Sequence, residues 1–330
     1  MDLFCHKLPK IELHAHLNGS LSKLTLKQLG CLENSISQYQ SVKAIGLKDA
    51  FALFKVAHEA TSNTKNLYIA TQNVIEEFAK DNVVYLELRT TPRSEEGMSE
   101  DDYIETVIKA IRENRFDGIL VKLILSLDRR RSREEQTETL DRIIRFKNSF
   151  PDLIRGVDLS GDPAKGDFFR DIFEKARENG LKTAIHCAEI QNDAEVKNIL
   201  EFKPDRLGHG TFIHTNPELW ALYKQLNIPV ECCLTSNVIC LTANSYAEHH
   251  VQEWIKEKLP FCLATDDKGV FNTSLSEEFL HIHKASKLNE LELWTISYKS
   301  IEYSFASAEE KNFLRFSLEK WKIKNIKDNE

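Results

Sequence analysis

Short apolar segments alternate with longer amphipathic segments along most of the chain. Apolar runs of this length are typical of buried strands, and the segments between them carry apolar residues at helical spacing. Strands that alternate with helices predict βα units and a parallel sheet. The eight predicted strands are residues 10–16, 83–89, 119–127, 154–160, 182–188, 205–209, 228–234 and 261–265.

Eight parallel strands predict a closed barrel. A chain of 330 residues fits one (β/α)8 TIM barrel of ordinary length with modest insertions. The connection after the first strand, residues 17–82, is long enough for extra helices, and residues 276–321 predict two or three more. We therefore expect an α/β protein in which residues 1–330 form one barrel domain, with extra helices after strand 1 and at the C-terminus.

Composition narrows the class of protein. Hydrophobic residues make up 42% and charged residues 29%, which is typical of a globular protein with a sizeable core. The net charge of -7 argues against broad binding of nucleic acid or anionic membrane. Seven scattered cysteines predict reduced thiols without disulfides. Because no segment resembles a signal peptide or a membrane span, we expect a cytoplasmic protein, and a monomer is the starting expectation.

Histidines at the strand ends suggest a metal site. In such barrels the reactive groups lie at the C-terminal ends of the strands. His14 and His16 end the first strand, and strand periodicity places both imidazoles on one face, which is half of a metal site. His186 ends the fifth strand and would supply a third ligand. The alternative is that these histidines are buried and purely structural.

Three further polar motifs follow strand ends. Glu189 follows the fifth strand and would place a carboxylic acid above a metal ligand. Asp266 and Asp267 end the eighth strand, where one carboxylate can bind a metal while its neighbour orients water or substrate. His209 lies between two glycines at the end of the sixth strand. A helix cap and a structural histidine are the alternatives, but the combination is much more specific than its parts.

The motifs and their order resemble those of the adenosine deaminase family of barrel hydrolases. The matching segments are Glu-Leu-His-Ala-His at 12–16, Ser-Gly-Asp at 160–162, His-Cys-Ala-Glu at 186–189, Gly-His-Gly at 208–210 and Thr-Asp-Asp at 265–267. The resemblance implies one zinc ion per chain, held by His14, His16, His186 and Asp266. It makes Glu189 the proton donor, His209 and Asp267 the residues that position the attacking water, and Gly161 a backbone contact of the purine.

The implied reaction is hydrolytic removal of the amino substituent from carbon six of an adenine-type purine. Zinc lowers the pKa of a bound water to about 7, so a nucleophile is available at neutral pH. Protonation of ring N1 by Glu189 would make carbon six more electrophilic. No organic cofactor is expected.

Asn18 favours a substrate with a 5′ phosphate. Adenosine deaminases that act on free nucleosides usually carry an aspartate at the matching position, and a carboxylate would repel phosphate, whereas an uncharged amide can donate a hydrogen bond to it. The segments at 16–20, 88–93, 128–130 and 265–271 further resemble the adenosine deaminase-like branch, whose members convert N6-methyl-AMP to IMP and methylamine.

The branch resemblance implies a particular nucleotide site. It would consist of His16, Asn18, His58, Thr90, Thr91, Pro92, Arg93, Asp128, Gly161 and Asp267. Arg93 is the predicted phosphate partner because guanidinium binds phosphate through two parallel hydrogen bonds. An exposed loop charge is the alternative for Arg93, and a helix cap for Asp128.

Other functions remain open at this point. An adenosine or AMP deaminase would use the same chemistry on other purines, and a catalytically silent barrel would bind a nucleotide without turnover. Another metal-dependent amide or phosphoester hydrolase is a third alternative.

Some motifs are interpreted as structural. His281 and His283 lie two apart in a predicted helix and so do not face each other. His249 and His250 are expected at a solvated helix start, and residues 129–131, three arginines, at the surface.

Overall fold

The computed structural model describes residues 1–39, 45–114 and 116–326. Eight strands form one sheet, ordered as in the chain, and each runs parallel to the next. The strands are β1 Lys10–His16, β2 Val83–Thr90, β3 Leu120–Asp128, β4 Ile154–Ser160, β5 Lys182–Cys187, β6 Arg206–His209, β7 Val230–Cys232 and β8 Phe261–Leu263.

The two ends of the sheet meet after β8. The His16 N–H donates to the Asp266 carbonyl at 2.9 Å, and the Asp266 N–H donates to the His14 carbonyl at 2.8 Å. These bonds join β1 to the segment that follows β8 and close the sheet into a (β/α)8 TIM barrel, as the sequence predicts.

Helices connect the strands and extend both ends of the barrel. The helices in the described part of the chain are α1 Asp2–Lys7, α2 Lys23–Gln28, α3 Glu33–Tyr39, α4 Gly46–Ala60, α5 Thr64–Lys80, α6 Glu100–Arg112, α7 Arg133–Ser149, α8 Arg170–Glu178, α9 Asp193–Phe202, α10 Pro217–Leu226, α11 Leu234–Ile239, α12 Val251–Glu257, α13 Leu275–Ser286, α14 Glu290–Tyr303 and α15 Ala308–Asn325. Capping boxes, in which the cap side chain and the third helical side chain each bind the other's N–H, begin α6, α7, α14 and α15.

Extra helices occupy both predicted places. Helices α2, α3 and α4 precede α5 in the connection after β1, and α13, α14 and α15 follow β8. Positions 40–44, 115 and 327–330, which fall within the predicted domain, lie outside the described residues. None of the described helices has the length and apolar character that crossing a bilayer requires.

Strands β7 and β8 are shorter than predicted. The prediction extends them to residues 234 and 265, but β7 ends at Cys232 and β8 at Leu263. Helix α11 begins at Leu234, directly after β7. Asp266 has a φ of 58°, which extended backbone does not allow, so regular strand ends before the Asp-Asp pair, although Asp266 still pairs with β1.

The barrel interior contains paired charges. Arg206 binds Glu87 and Glu231, and Arg89 binds Glu231 and Asp158. All five side chains are completely buried. An unpaired buried charge is strongly destabilising, so each of these carboxylates needs its arginine partner. Glu231 and Asp158 of this network also contact His14 and His186, and the ion pairs therefore hold both carboxylates in position beneath the site.

Candidate active site

Four side chains from three places in the barrel converge at the C-terminal ends of the strands. They are His14 and His16 of β1, His186 of β5 and Asp266 after β8, and one ligand atom of each lies within 4.8 Å of the other three. Asp266 Oδ1 is 3.4 Å from the Nε2 atoms of both His14 and His16. The Nε2 atoms of His16 and His186 are 3.2 Å apart.

This cluster fits a divalent metal ion. The buried Nε2 atom of His14 has no hydrogen-bond partner among the described residues, and buried polar atoms rarely lack one. Three imidazole nitrogens and one carboxylate oxygen are a donor set that zinc accepts. The cluster therefore contains the ligands that the resemblance implies, brought together from distant parts of the chain.

Two buried carboxylates orient the histidine rings. His14 Nδ1 lies 2.5 Å from Glu231 Oε2, and His186 Nδ1 lies 2.8 Å from Asp158 Oδ1. A carboxylate on Nδ1 leaves Nε2 with its lone pair directed at the metal position. The sequence interpretation missed Glu231 and Asp158. The available signal was an acidic residue inside a strand that is mostly buried.

Cys233 lies in an overlapping group with His14, His209 and Asp266. Burial, followed by the Asp266 charge, raises the pKa of its thiol well above the usual value. The Cys233 thiol already donates to the Glu231 carbonyl at 3.8 Å, and the three-histidine set supplies three imidazole nitrogens and a carboxylate, so that set is the better candidate. None of the seven cysteines is in a disulfide.

Two glycines make room for the converging side chains. A Cβ atom on Gly208 would lie 2.9 Å from Cε1 of His14 and 3.2 Å from the Cα of His186. A Cβ atom on Gly19 would lie 1.6 Å from Oδ1 of Asp267. Any side chain at Gly19 would therefore displace the Asp267 carboxylate.

Glu189 and His209 border the same cluster. His209 Nε2 lies 3.6 Å from Glu189 Oε2 and 3.8 Å from Asp266 Oδ2. Ala188, His209 and Asp266 have φ values of 56°, 61° and 58°. Residues other than glycine seldom adopt this conformation, and strain of this kind concentrates at functional sites.

Burial changes the protonation of these groups. It raises the pKa of Glu189. Burial, then the Asp266 and Glu189 charges, raise the pKa of Asp267 well above its usual range. Burial also lowers the pKa of His209 to about 4. Glu189 is consequently an acid that can hold a proton closer to neutral pH, and the His209 imidazole is neutral.

His16, His186 and Asp266 of the cluster line a cavity of about 680 Å³. Its lining includes nine of the ten residues predicted for the substrate, which are His16, Asn18, His58, Thr90, Thr91, Arg93, Asp128, Gly161 and Asp267. Pro92 is not part of the lining, and its carbonyl accepts a hydrogen bond from Arg131. Leu47 and Phe54 of helix α4 are apolar residues that line the same cavity.

Asn18 is held by its neighbours. Its Oδ1 accepts a hydrogen bond from Thr61 Oγ1 at 3.0 Å, and its Nδ2 donates to the Tyr103 hydroxyl at 3.1 Å. An amide nitrogen carries two hydrogens. One N–H of Asn18 therefore remains for a ligand.

The arginines of the cavity differ in how they are engaged. Arg93 Nε binds Glu95, and its terminal nitrogens bind Tyr103 and the Thr61 carbonyl and hydroxyl. Arg130 binds only Asp128 among the hydrogen bonds of the described residues, and 49% of its side chain is exposed. Arg130 thus presents the more accessible guanidinium, which the sequence interpretation did not select.

The surface prediction for His249 and His250 is wrong, and the one for residues 129–131 is wrong at Arg129, whereas Arg130 is exposed as predicted. His249 and His250 are only 1% and 5% exposed, because Trp254 packs against His250 and both rings bond to groups around His209. Arg129 is also buried, since Glu195 of α9 neutralises it at 3.1 Å. The rejection of a His281–His283 metal pair is confirmed, because His281 stacks on Tyr246 and His283 Nδ1 bonds to the Leu288 carbonyl.

Comparison with known proteins identifies the family. The adenosine deaminase family profile matches residues 9–321. N6-methyl-AMP deaminase-L of Xenopus laevis is 40% identical over 331 residues, which are 96% of this chain and 94% of that protein. A structure of an ADAL–IMP complex has a TM-score of 0.92 at 36% identity, covering 98% of this chain and 100% of the other.

A structure of Arabidopsis ADAL complexed with GMP is similarly close. Its TM-score is 0.90 at 36% identity, and the match covers 97% of this chain and 99% of the other. The matches extend over nearly the whole fold and include the segments that contribute the converging side chains. The chain belongs to the adenosine deaminase family and is a hydrolytic deaminase.

Proposed function

We propose that the protein is a zinc-dependent deaminase that hydrolyses N6-methyl-AMP to IMP and methylamine. The observation that carries the proposal is the convergence of a metal-ligand cluster with Glu189, His209 and Asp267 in one cavity. The choice of substrate is supported by relatives named N6-methyl-AMP deaminase at about 40% identity and by neighbours bound to IMP or GMP.

The proposed ligands of the zinc ion are His14, His16, His186 and Asp266. When bound, zinc would lower the pKa of a water molecule so that it is a nucleophile at neutral pH. Glu231 and Asp158 keep two of the imidazole rings oriented through their Nδ1 atoms.

Three residues would act on the reacting groups. Glu189 donates a proton to ring N1 of the purine, which makes carbon six more electrophilic, and its raised pKa suits this role. His209 and Asp267 hold the attacking water by hydrogen bonds. Attack at carbon six, followed by loss of the amine, leaves a six-oxo purine and methylamine.

Other residues of the cavity suit a 5′ phosphate. Asn18 is uncharged and retains one N–H, and the Thr90 and Thr91 hydroxyls line the same cavity. Arg130 and His58 add an accessible cation and an imidazole. We propose that these groups favour the monophosphate over the free nucleoside.

The test compares four substrates. Purified zinc-loaded protein is assayed with N6-methyl-AMP, AMP, adenosine and N6-methyladenosine. The proposal predicts the highest kcat/KM for N6-methyl-AMP and a kcat at least about 10²-fold lower in Glu189→Ala. Preference for free nucleosides would contradict the phosphate argument, and preference for AMP would identify an AMP deaminase. No turnover of any purine would favour a silent nucleotide-binding barrel.

A further inference from the structure

His209 is in hydrogen-bond contact with a group that contains two buried histidines, neither of which has a role in the proposed reaction. His249 and His250 precede α12, are almost completely inaccessible and both connect to His209. His249 does so through the side chain of Asn237, and His250 bonds directly to the main chain. Burying a polar group without a hydrogen bond costs free energy. We therefore treat each of these contacts as a hydrogen bond and assign its donor from the groups that can only donate or only accept.

A backbone N–H determines which nitrogen of His249 carries the ring hydrogen. The Val251 N–H lies 3.1 Å from His249 Nδ1 and can only donate, so Nδ1 is an acceptor. Burial, followed by the charges of His209 and His214, lowers the pKa of His249 to about 3, so the ring is neutral. The single ring hydrogen is then on Nε2.

The hydrogen on His249 Nε2 determines which way the side-chain amide of Asn237 is turned. His249 Nε2 lies 3.0 Å from Asn237 Oδ1 and donates to it, so the other amide atom is the nitrogen. That Nδ2 atom lies 3.5 Å from His209 Nδ1 and also contacts the hydroxyls of Thr211 and Thr242. An amide nitrogen can only donate. His209 Nδ1 can therefore meet this nitrogen only as an acceptor, at the longest of the three contacts, and a neutral His209 then carries its hydrogen on Nε2.

His250 holds the main chain of the same residue. Its Nε2 lies 2.8 Å from the His209 carbonyl oxygen, which can only accept. His209 has a φ of 61°, a conformation that needs support from its surroundings. The ring and the main chain of His209 are thus both contacted by residues that lie between β7 and α12.

We infer that His249, Asn237 and His250 are positioning residues that hold His209 as the Nε2–H tautomer, with its donor directed into the site. This inference rests on the proposed function, in which His209 orients the attacking water. In the other tautomer, Nε2 would present a lone pair to Glu189 and Asp266 and could not donate to that water.

The most direct variant is Asn237→Asp. It keeps the shape of the side chain and removes its N–H, so His209 is expected to donate from Nδ1 and to lose the hydrogen on Nε2. In a serine protease, the wrong tautomer of a catalytic histidine lowers kcat about 10⁴-fold. With the proposed substrate we expect kcat to fall at least about 10²-fold and KM to stay within about threefold.

Two variants of His249 distinguish a positioning role from a purely structural role in stabilising the fold. His249→Leu removes the donor to Asn237 and should lower kcat about tenfold, whereas His249→Gln keeps a donor and should restore most of the loss. His214→Gln is the matched control, because the His214 ring packs 6.4 Å from the His250 ring in the same histidine group. Zinc content and Tm are measured for every variant. Equal kcat in His249→Leu and wild type would overturn the inference.

Two-bond ¹⁵N–¹H spectra of histidine-labelled, zinc-loaded protein report the tautomer without any turnover. The His209 signals are assigned by their loss in His209→Gln. We expect protonated Nε2 and bare Nδ1 in wild type, and the reverse in Asn237→Asp. Protonated Nδ1 in the wild type would overturn the inference. Failure of the proposed function would appear separately, as absence of turnover by the wild type.

Discussion

His186 Nδ1 lies 2.8 Å from Oδ1 of Asp158, a carboxylate completely buried inside the barrel. Burial alone would raise the pKa of Asp158, but the neighbouring His186 and Arg89 charges outweigh it and hold that pKa below its usual value. Asp158 therefore stays ionised, and its bond to Nδ1 leaves His186 Nε2 free for a metal. This relationship underlies the first prediction.

Asp158→Asn should weaken metal binding. A neutral amide orients the His186 ring less firmly and makes the imidazole a weaker ligand, and loss of such a partner typically lowers metal affinity about 10- to 100-fold. Competition with a chromophoric chelator measures the affinity. Asp152→Asn, at an exposed position before β4, is the control. Equal affinities in both variants and the wild type would show that Asp158 has no role in holding the metal.

Glu189→Gln should lower kcat without removing ligand binding. The amide cannot donate the proton that ring N1 receives, and loss of a general acid typically lowers the rate about 10²- to 10⁴-fold. IMP affinity, measured by calorimetry, is expected to remain within a few-fold of wild type. Glu201→Gln, exposed on α9, provides the control. A Glu189→Gln enzyme with normal kcat would exclude Glu189 as the proton donor.

Arg130→Gln should impair use of the monophosphate selectively. Hydrogen bonds to a charged group contribute about 1.5–3 kcal/mol, so KM for N6-methyl-AMP is expected to rise about 10- to 100-fold. The variant also removes the guanidinium that pairs with Asp128, which keeps only the bond from the backbone N–H of residue 130. N6-methyladenosine should be affected little. Arg133→Gln, which loses an exposed pair with Asp171, should behave as wild type. An equal rise in KM for both substrates would show that Arg130 does not bind the phosphate.

His58 should make nucleotide binding depend on pH. Burial, followed by the Arg93 and Arg130 charges, lowers the pKa of His58 to about 4, so the free protein holds this ring neutral. A bound phosphate would raise that pKa. Between the two values the complex carries one more proton than the free protein, so affinity rises as pH falls and binding takes up a proton.

Calorimetry of IMP binding in buffers of different ionisation enthalpy measures this uptake. Near pH 6.5 the wild type should take up more protons than His58→Gln, and its affinity should fall more steeply as pH rises. Identical proton uptake in the two proteins would remove His58 from the phosphate site.

The fold was largely predictable because hydrophobic periodicity records which residues are buried. Six of the eight strand predictions differ from the structure by no more than one residue at either end, and the extra helices occur where the connections are long. The errors at β7 and β8 have a local cause. The apolar run continues into α11 after β7, and the positive φ of Asp266 interrupts the extended backbone although Asp266 still pairs with β1.

The candidate metal ligands were predictable because strand ends in a barrel face a common opening. Their supporting groups were not, because contacts such as His14–Glu231 join positions 217 residues apart without any sequence spacing that signals them. Polarity around His249 and His250 suggested exposure, yet the Trp254 ring and the Asn237 amide bury both rings. Arg93 was selected for its charge, although its donors are occupied by Glu95 and Thr61.

The central claim is tested most directly by product analysis with N6-methyl-AMP. The purified protein is loaded with zinc, and IMP and methylamine are quantified over time, with Glu189→Ala as the blank. We predict equal amounts of the two products, formed catalytically by the wild type and at least about 10²-fold more slowly by the variant. Intact N6-methyl-AMP after prolonged incubation with zinc-loaded, folded wild type would contradict it.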